Sequence, residues 1–336
     1  MKTYRYNDKP LEIHGLAFYE RDGLLERLPV AVREAVPTLA ELGQHCAGTR
    51  IGFRTDSPTI TVKIILGSLT VDLGMALYSA QAINVMIGDR QNAYFAGFAC
   101  PPDYTEMTVE KTFRKSSEME EVTIWFPRNE RVTDITVSVE DDARVEAPTP
   151  YKYPPMLYYG SSITEGACAS RVTNAYNAII SRHLDVDYYN FGFSGRARGE
   201  AAMADLIADI PMSVFVMDYD HNAPSVDHLR ETHEPFFRRI REKNPDLPVV
   251  MLTKPDYDYD ARGAERRAII RATYENAVAA GDKNVYFVDG ETYFGSEDRE
   301  LCTVDRVHPN DIGHYRMAAM VEPIIKKILE ERYPDR

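Results

Sequence analysis

Short apolar segments separated by turn residues fill the chain from about residue 50 to residue 140. No long helical period lies between them, so they predict strands at residues 59–66, 82–87, 121–126 and 135–139. Closely spaced short strands are typical of a β-sandwich or jelly roll. This stretch is therefore predicted to form an all-β, jelly-roll-like sandwich.

A proline-rich segment follows at residues 147–155, where four prolines fall within eight residues. Proline lacks a backbone N–H and restricts the preceding residue to extended conformations. The segment is predicted to be an extended connector, and we place a domain boundary there. The predicted domains are residues 1–150 and residues 151–336.

Beyond the connector, predicted strands and helices alternate. The strands are predicted at residues 156–159, 188–191, 214–218, 249–253 and 285–288. The helices are predicted near residues 174–184, 199–208, 227–243, 262–280 and 311–332. This alternation predicts an α/β domain whose parallel sheet is covered by helices on both faces.

Candidate chemical groups follow several of these strands. Ser162, Gly195 and Asn222 each lie just past a predicted strand. Because the carboxyl ends of parallel strands meet in one crevice, we expect these residues to converge. Asp305 and His308 are three positions apart near the end of the chain, so the carboxylate can reach the imidazole within one local turn. Together these segments can assemble a Ser/His/Asp set.

The net charge bears on the partners of the protein. The chain has 39 basic and 52 acidic residues, for a formal balance of −13, so nucleic acid and anionic membranes are unfavourable ligands. The start of the sequence lacks an apolar core of signal-peptide length, and no later run approaches a membrane span. We expect a soluble, cytoplasmic protein. Cysteines without a Cys-x-x-Cys pair indicate reduced structural thiols, at Cys46, Cys100, Cys168 and Cys302.

Four segments resemble, in order, the motifs of the SGNH (GDSL-type) hydrolase family, at residues 157–166, 190–195, 219–222 and 305–310. The family's first motif reads Gly-Asp-Ser, whereas this chain has Gly160-Ser161-Ser162. The resemblance implies that Ser162 is the nucleophile, with Ser161 as a weaker rival. In the third motif, Ala223 stands where the family has aspartate.

The resemblance covers residues 156 to about 325 and implies a flavodoxin-like three-layer α/β/α domain. Further similarity points to a bacterial subgroup that carries a β-rich domain ahead of the hydrolase domain. The family mechanism implies His308 as the general base and Asp305 as the group that orients it. It also implies an oxyanion hole formed by the Ser162 and Gly195 N–H groups and the Asn222 side chain. No metal or other cofactor is implied.

The other histidines carry weaker interpretations. His314 is predicted to lie on the C-terminal helix and to have a packing role. His221 could line the pocket or lie at the surface. His228 and His233 are five residues apart, a spacing that does not place both on one helical face and so disfavours a metal site.

Several polar residues near the motifs have two interpretations. Residues 254–260 carry alternating aspartates but lack the glycine of a calcium loop, so we interpret them as a loop flanking the active site. Arg196 and Arg198 could contact a polar substrate or lie exposed at a helix start. Thr164 and Glu165 are interpreted as helix-capping residues.

The reaction predicted from the resemblance is ester hydrolysis through an acyl-Ser162 intermediate. Family members with an appended β-rich domain often act on acetylated sugars, so the resemblance implies a carbohydrate acetylesterase acting on acetylated oligosaccharides. A general short-chain acyl-esterase or thioesterase is one alternative, and a catalytically degenerate carbohydrate-binding protein is another. The 21 tyrosines could line a sugar site or the interface of a homo-oligomer.

Overall fold

Two antiparallel sheets form the first part of the chain in the computed structural model, which describes residues 1–103, 105–255 and 262–336. The strands are β1 (Lys2–Arg5), β2 (Glu12–His14), β3 (Arg50–Thr55), β4 (Thr59–Leu66), β5 (Ile83–Ile87), β6 (Tyr94–Ala99), β7 (Thr108–Arg114), β8 (Glu120–Trp125), β9 (Val132–Val139) and β10 (Val145–Glu146). One sheet has the order β1-β9-β4-β7, and the other has the order β10-β3-β8-β5-β6 with β2 paired to β3. Short helices lie between strands, namely α1 (Tyr19–Asp22), α2 (Val30–Ala35) and α3 (Leu77–Ala80).

Alternation along the strands explains why these two sheets pack together. In β4 the side chains of Ile60, Val62 and Ile64 are buried, whereas Lys63 between them is exposed. Successive side chains of a strand point to opposite faces, so one apolar face of each sheet is available for burial against the other. The buried faces share one hydrophobic core, which confirms the predicted sandwich.

The second part of the chain is a parallel sheet between layers of helices. Its strands are β11 (Tyr153–Gly160), β12 (Val186–Gly192), β13 (Phe215–Asp218), β14 (Val249–Leu252) and β15 (Val285–Val288), in the order β12-β11-β13-β14-β15. Its helices are α4 (Ser162–Glu165), α5 (Tyr176–Leu184), α6 (Ala201–Ala208), α7 (Val226–Lys243), α8 (Gly263–Ala279) and α9 (Asp311–Arg332). Helices α5 and α9 pack on one face and α6, α7 and α8 on the other, which confirms the predicted three-layer α/β/α fold.

The connector is shorter than the sequence predicted. Strand β11 begins at Tyr153, so Pro154 and Pro155 belong to the strand rather than to an extended linker. The pairing of β11 with β12 is irregular between Tyr153 and Met156. A proline cannot donate to a ladder and is tolerated at such an irregularity. The domain boundary itself stays a prediction.

Buried arginines join the sandwich to the α/β part. Arg50 on β3 is buried, pairs with Asp187 on β12, and lies over the ring of Tyr188 at 4.6 Å. Arg90 donates to Asp185 at 2.7 Å. Charges withdrawn from water in this way must be paired, so the two parts of the chain are held in one fixed relation.

Arg50→Met is expected to lower the free energy of unfolding by about 3–5 kcal/mol, because it leaves the buried Asp187 carboxylate without its cation. Arg54→Met on the same strand is the matched control. Its exposed pair with Glu146, at 3.2 Å, is expected to contribute less than ~1 kcal/mol. Urea unfolding of both variants measures the difference in the free energy of unfolding. Equal decreases in the two variants would contradict the larger contribution expected for the Arg50–Asp187 pair.

Candidate active site

The turn from β11 into α4 places two serines in different surroundings. The Ser161 hydroxyl caps α4 by accepting a hydrogen bond from the Ile163 N–H at 3.1 Å. Ser162, the first residue of the helix, has its Oγ 2.8 Å from Nε2 of His308. Gly160 permits this turn, because a β-carbon there would collide with the Thr164 side chain and the backbone of strand β13. The structure therefore places Ser162, and not Ser161, against the imidazole.

A second hydrogen bond completes the line of groups. Nδ1 of His308 lies 2.7 Å from Oδ2 of Asp305. The other carboxylate oxygen of Asp305 accepts from the N–H groups of Val307, at 3.0 Å, and His308, at 2.7 Å. The carboxylate thus fixes both the loop and the ring, and residues from the two ends of the α/β part meet as the motif spacing predicted.

The environment of Asp305 favours its ionised form. Partial burial raises the pKa of Asp305, but the hydrogen bonds from His308 and Val307 outweigh this effect, so its pKa lies below the ordinary value. An ionised carboxylate accepts the Nδ1–H of His308, which leaves Nε2 to accept the proton of Ser162. The arrangement can therefore activate a hydroxyl as a nucleophile.

The predicted oxyanion groups also come together, but with one difference in detail. The Gly195 N–H donates to Oδ1 of Asn222 at 3.1 Å, so it is directed at that side chain. The Asn222 amide nitrogen donates to the Phe193 carbonyl at 2.8 Å and keeps a second N–H. The Ser162 N–H belongs to the first turn of a helix, where no intrahelical acceptor exists.

An acid that contacts helix α4 was missed by sequence reasoning. Asp218 ends β13 and is buried, and its Oδ2 accepts from Thr164 Oγ1 and from the Tyr176 hydroxyl, both at 2.8 Å. Burial raises the pKa of Asp218 to about 7. The only sequence signal for this site is an aspartate at the end of an apolar strand.

The capping interpretation of Thr164 and Glu165 is wrong. Ser161 provides the cap, and Thr164 instead donates to Asp218. The Glu165 carboxylate is buried and accepts from Arg27 at 3.0 Å and from Arg128 at 3.3 Å. Both arginines precede the α/β part by many residues, so no local pattern in the sequence could reveal these pairs.

The structural interpretation of His314 is confirmed. This buried ring lies 3.0 Å from the Ala167 carbonyl, accepts from the Tyr176 N–H at 3.3 Å, and has its pKa lowered to about 4 by burial. His228 lies within hydrogen-bond distance of the Arg198 carbonyl, and His233 lies within hydrogen-bond distance of the Thr273 hydroxyl, so the two rings have separate partners. Within the described residues, no group of His, Cys, Asp and Glu is arranged to hold a metal ion.

The remaining predicted residues lie around the crevice. Arg196 is exposed, Arg198 donates to the Gly195 carbonyl at 3.3 Å, and His221 is half-buried. Of the predicted flanking loop, residues 256–260 lie outside the described residues. Burial raises the pKa of Cys168 to about 11, which agrees with a structural thiol. No helix in the described part of the chain has the length and apolar character to cross a membrane.

A family model for GDSL-like lipases and acylhydrolases matches residues 154–326. This range includes Ser162, Asp305 and His308. The chain belongs to this family. A second model, for the N-terminus of SGNH-type esterases, matches residues 2–145. The protein is thus an SGNH-type esterase with an N-terminal sandwich of the kind found in that class.

Solved structures extend the similarity to nearly the whole esterase. A protein of Bacteroides ovatus assigned as a GDSL-like lipase is 28% identical, with a TM-score of 0.86 over 98% of each chain. A salicylyl-acyltransferase from a tetracycline biosynthetic pathway is 20% identical, with a TM-score of 0.80 over 97% of each chain. A family two carbohydrate esterase from Cellvibrio japonicus is 14% identical, with a TM-score of 0.65 over 98% of each chain. The last two share the fold alone. No curated protein matches this chain.

Asp218 is expected to make the stability of the esterase fall as pH rises. Its pKa increases from an ordinary 3.8 to about 7 on folding, so between these values the folded state holds a proton that the unfolded chain has lost. The stability from this proton is fully present below about pH 4 and is lost as pH rises through about 7.

Asp218→Asn removes the titration while keeping the shape of the side chain. The free energy of unfolding of the wild type should therefore decline relative to the variant between about pH 4 and pH 8, by on the order of a few kcal/mol. Urea unfolding at several pH values measures both curves. Parallel curves would show that Asp218 titrates alike in the folded and unfolded chain.

Proposed function

We propose that this protein is a serine esterase that cleaves short-chain acyl esters through an acyl-Ser162 intermediate. The observation that carries the proposal is the continuous line from Ser162 Oγ to His308 Nε2, at 2.8 Å, and from His308 Nδ1 to Asp305, at 2.7 Å. These lengths fall within hydrogen-bond reach for a nucleophile, a base and an orienting acid.

In the first step, His308 accepts the proton of Ser162 as Oγ attacks the ester carbonyl carbon. The resulting imidazolium is stabilised by the ionised Asp305 and returns the proton to the leaving alcohol. Water then attacks the acyl-serine with His308 again as the base, which releases the carboxylic acid and restores Ser162. The residues of this chain supply each proton transfer.

The tetrahedral oxyanion requires hydrogen-bond donors. The Ser162 N–H and the second N–H of Asn222 are available, and the Gly195 N–H joins them by exchanging its bond with Asn222 Oδ1 for one with the oxyanion. Asn222 thus both supplies a donor and holds the Gly195 N–H close by before the reaction. In the family resemblance the same three groups form the oxyanion hole.

For the substrate, we propose acetyl esters of oligosaccharides. Support comes from the fold similarity to the Cellvibrio japonicus carbohydrate esterase, which extends over 98% of each chain. In this chain the sandwich reaches the crevice, since Cys168 contacts the Gly74 carbonyl at 3.6 Å and Met75 at 3.5 Å. The sandwich can therefore form a wall for a sugar chain. The cytoplasmic location and any homo-oligomer stay predictions.

Acyl transfer to an alcohol is a second candidate. The fold similarity to the salicylyl-acyltransferase, with a TM-score of 0.80 against 0.65 for the carbohydrate esterase, favours this candidate. Chemically, the same acyl-Ser162 intermediate can react with a hydroxyl acceptor instead of water. The acyl donors then include esters and thioesters without a sugar, such as a general short-chain acyl-esterase or thioesterase would use.

Ser162→Ala should lower turnover of p-nitrophenyl acetate by a factor on the order of 10⁴ or more, because it removes the nucleophile. Ser161→Ala is the matched neighbour. It should keep turnover within a few fold and lose about 1 kcal/mol of stability, since Ser161 only caps α4. Steady-state kinetics with circular dichroism distinguishes them. An inactive Ser161→Ala beside an active Ser162→Ala would reverse the assignment.

A substrate panel should separate the candidate functions. We expect kcat/KM for acetate release from acetylated xylo- or manno-oligosaccharides to exceed that for simple butyryl and octanoyl esters by about tenfold, the effect of roughly 1.4 kcal/mol of sugar contacts. Equal values would favour the general esterase. Ester product formed with an added alcohol, in preference to acid, would favour acyl transfer.

A further inference from the structure

A buried group of charges lies between the sandwich and the two loops of the active site. We name it the Glu165 cluster, which consists of Arg27, Arg128, Glu165 and Ser194. Oε1 of Glu165 accepts from Arg27 at 3.0 Å, and Oε2 accepts from Arg128 at 3.3 Å. Oε2 also accepts from the Ser194 N–H, at 3.3 Å, and from the Ser194 hydroxyl. The carboxylate therefore has partners on three separate segments.

The segment of Glu165 and the segment of Ser194 both carry groups of the proposed mechanism. Glu165 lies on α4, three residues after Ser162, and Ser194 directly precedes Gly195. Gly195 itself is exposed with a φ of +66°, and a β-carbon on it would meet nothing within 4 Å. Side-chain packing therefore does not confine Gly195 on the side where a β-carbon would project. Hydrogen bonds hold its loop instead, from Gly195 to Asn222 and from Ser194 to Glu165.

Arg27 extends the same connection to the strand behind the loop. Its five N–H donors are all used, because it also donates to the carbonyls of Asn190, Gly192, Leu42 and His45. Asn190 and Gly192 belong to the end of β12, which leads into the Gly195 loop. One side chain from the N-terminal part thus joins the last residue of α4 to the end of β12.

We propose that Glu165 is a positioning residue, which holds the Gly195 loop at the distance from Ser162 that the oxyanion requires, with Arg27 and Arg128 as its supports. The proposal rests on the proposed function. Displacements of about 1 Å in an active site can lower a rate by about 10²-fold, so a fixed link between nucleophile and donor has a kinetic effect. The cluster also carries one more positive than negative charge, which favours negative charge developing nearby.

Ser194→Ala is the direct test, because it removes one bond to Glu165 and leaves both arginine pairs in place. We expect kcat for p-nitrophenyl acetate to fall about 10-fold while KM and Tm change little. Ser194→Thr keeps a hydroxyl and should restore most of kcat. If Ser194→Thr does not restore kcat, the role of Ser194 is structural only. The same conclusion holds if Ser194→Ala and Ser194→Thr lower Tm equally.

Ser213→Ala is the matched control. Ser213 is buried, whereas Ser194 is half-buried, and the Ser213 hydroxyl donates to the Pro154 carbonyl at 2.8 Å, at the amino end of the sheet and away from the crevice. We expect this variant to lose stability and to keep the wild-type kcat. An equal loss of kcat in Ser213→Ala and Ser194→Ala would overturn the proposal.

A charge-balanced pair of substitutions tests Glu165 itself. Glu165→Gln alone leaves two buried cations without an anion and is expected to lower Tm strongly. Adding Arg128→Met restores the original net charge of the cluster and should recover Tm. The Gln oxygen then pairs with Arg27, so its amide N–H groups face the Ser194 N–H, and kcat should stay at least 10-fold low. A wild-type kcat in the folded double variant would overturn the proposal.

Labelling of Ser162 by a fluorophosphonate separates this inference from the proposed function. Ser162 Oγ attacks the phosphorus of the probe and fluoride leaves, so the product is a phosphonyl-serine whose P=O oxygen lies among the oxyanion donors, whatever the natural substrate is. Slow labelling of Ser194→Ala, about 10-fold below the wild type, would support the positioning role even if no ester in the panel is hydrolysed. Equal labelling rates would overturn that role and leave an observed esterase activity standing.

Discussion

The Glu165 carboxylate, held between two guanidinium groups in the interior, is the interaction on which the arrangement of the active site depends. A buried carboxylate is costly unless cations and hydrogen-bond donors replace water. Here the cations, Arg27 and Arg128, come from the N-terminal half of the chain, whereas the anion follows the nucleophile. Neither half can bury its own charges alone. The sandwich is therefore part of the structure that supports Ser162, and not an appendage to a complete hydrolase domain.

The proposed base, His308, and its orienting acid, Asp305, are held by local contacts rather than by long-range ones. Asp305 and His308 are three residues apart, and backbone N–H groups of the same short loop bind the carboxylate. This local arrangement places the imidazole with few contacts from the rest of the protein. The proposed nucleophile and oxyanion groups rely on long-range packing, whereas the proposed base relies on its own loop. Ser162 and His308 therefore meet where the buried interior borders a more exposed loop.

The sequence predicted what its local patterns encode. Helix α9 is found at the predicted bounds of 311–332, and each predicted strand of the parallel sheet is present, because these segments have regular apolar periods. Strands such as β1 and β2 were missed, since they are short and lack a clear alternation. Asp218 was missed, and Glu165 was misinterpreted as a helix cap, for another reason. Their environment is formed by residues distant in sequence, such as Tyr176 for the first and Arg27 for the second. The order of the motifs located Ser162, Asp305 and His308. It carried no information on the buried residues that hold these segments in place.

The contacts of Arg27 also have a consequence for the order in which the molecule can fold. This side chain binds carbonyls 163 and 165 residues further along the chain. Contacts between such distant positions form slowly, because closing a long loop costs conformational entropy before any bond is gained. During synthesis, a chain that has only just reached α4 has neither the β12 carbonyls nor His308. On the proposed mechanism, the growing polypeptide therefore has no activated Ser162 until the segment that contains His308 has left the ribosome.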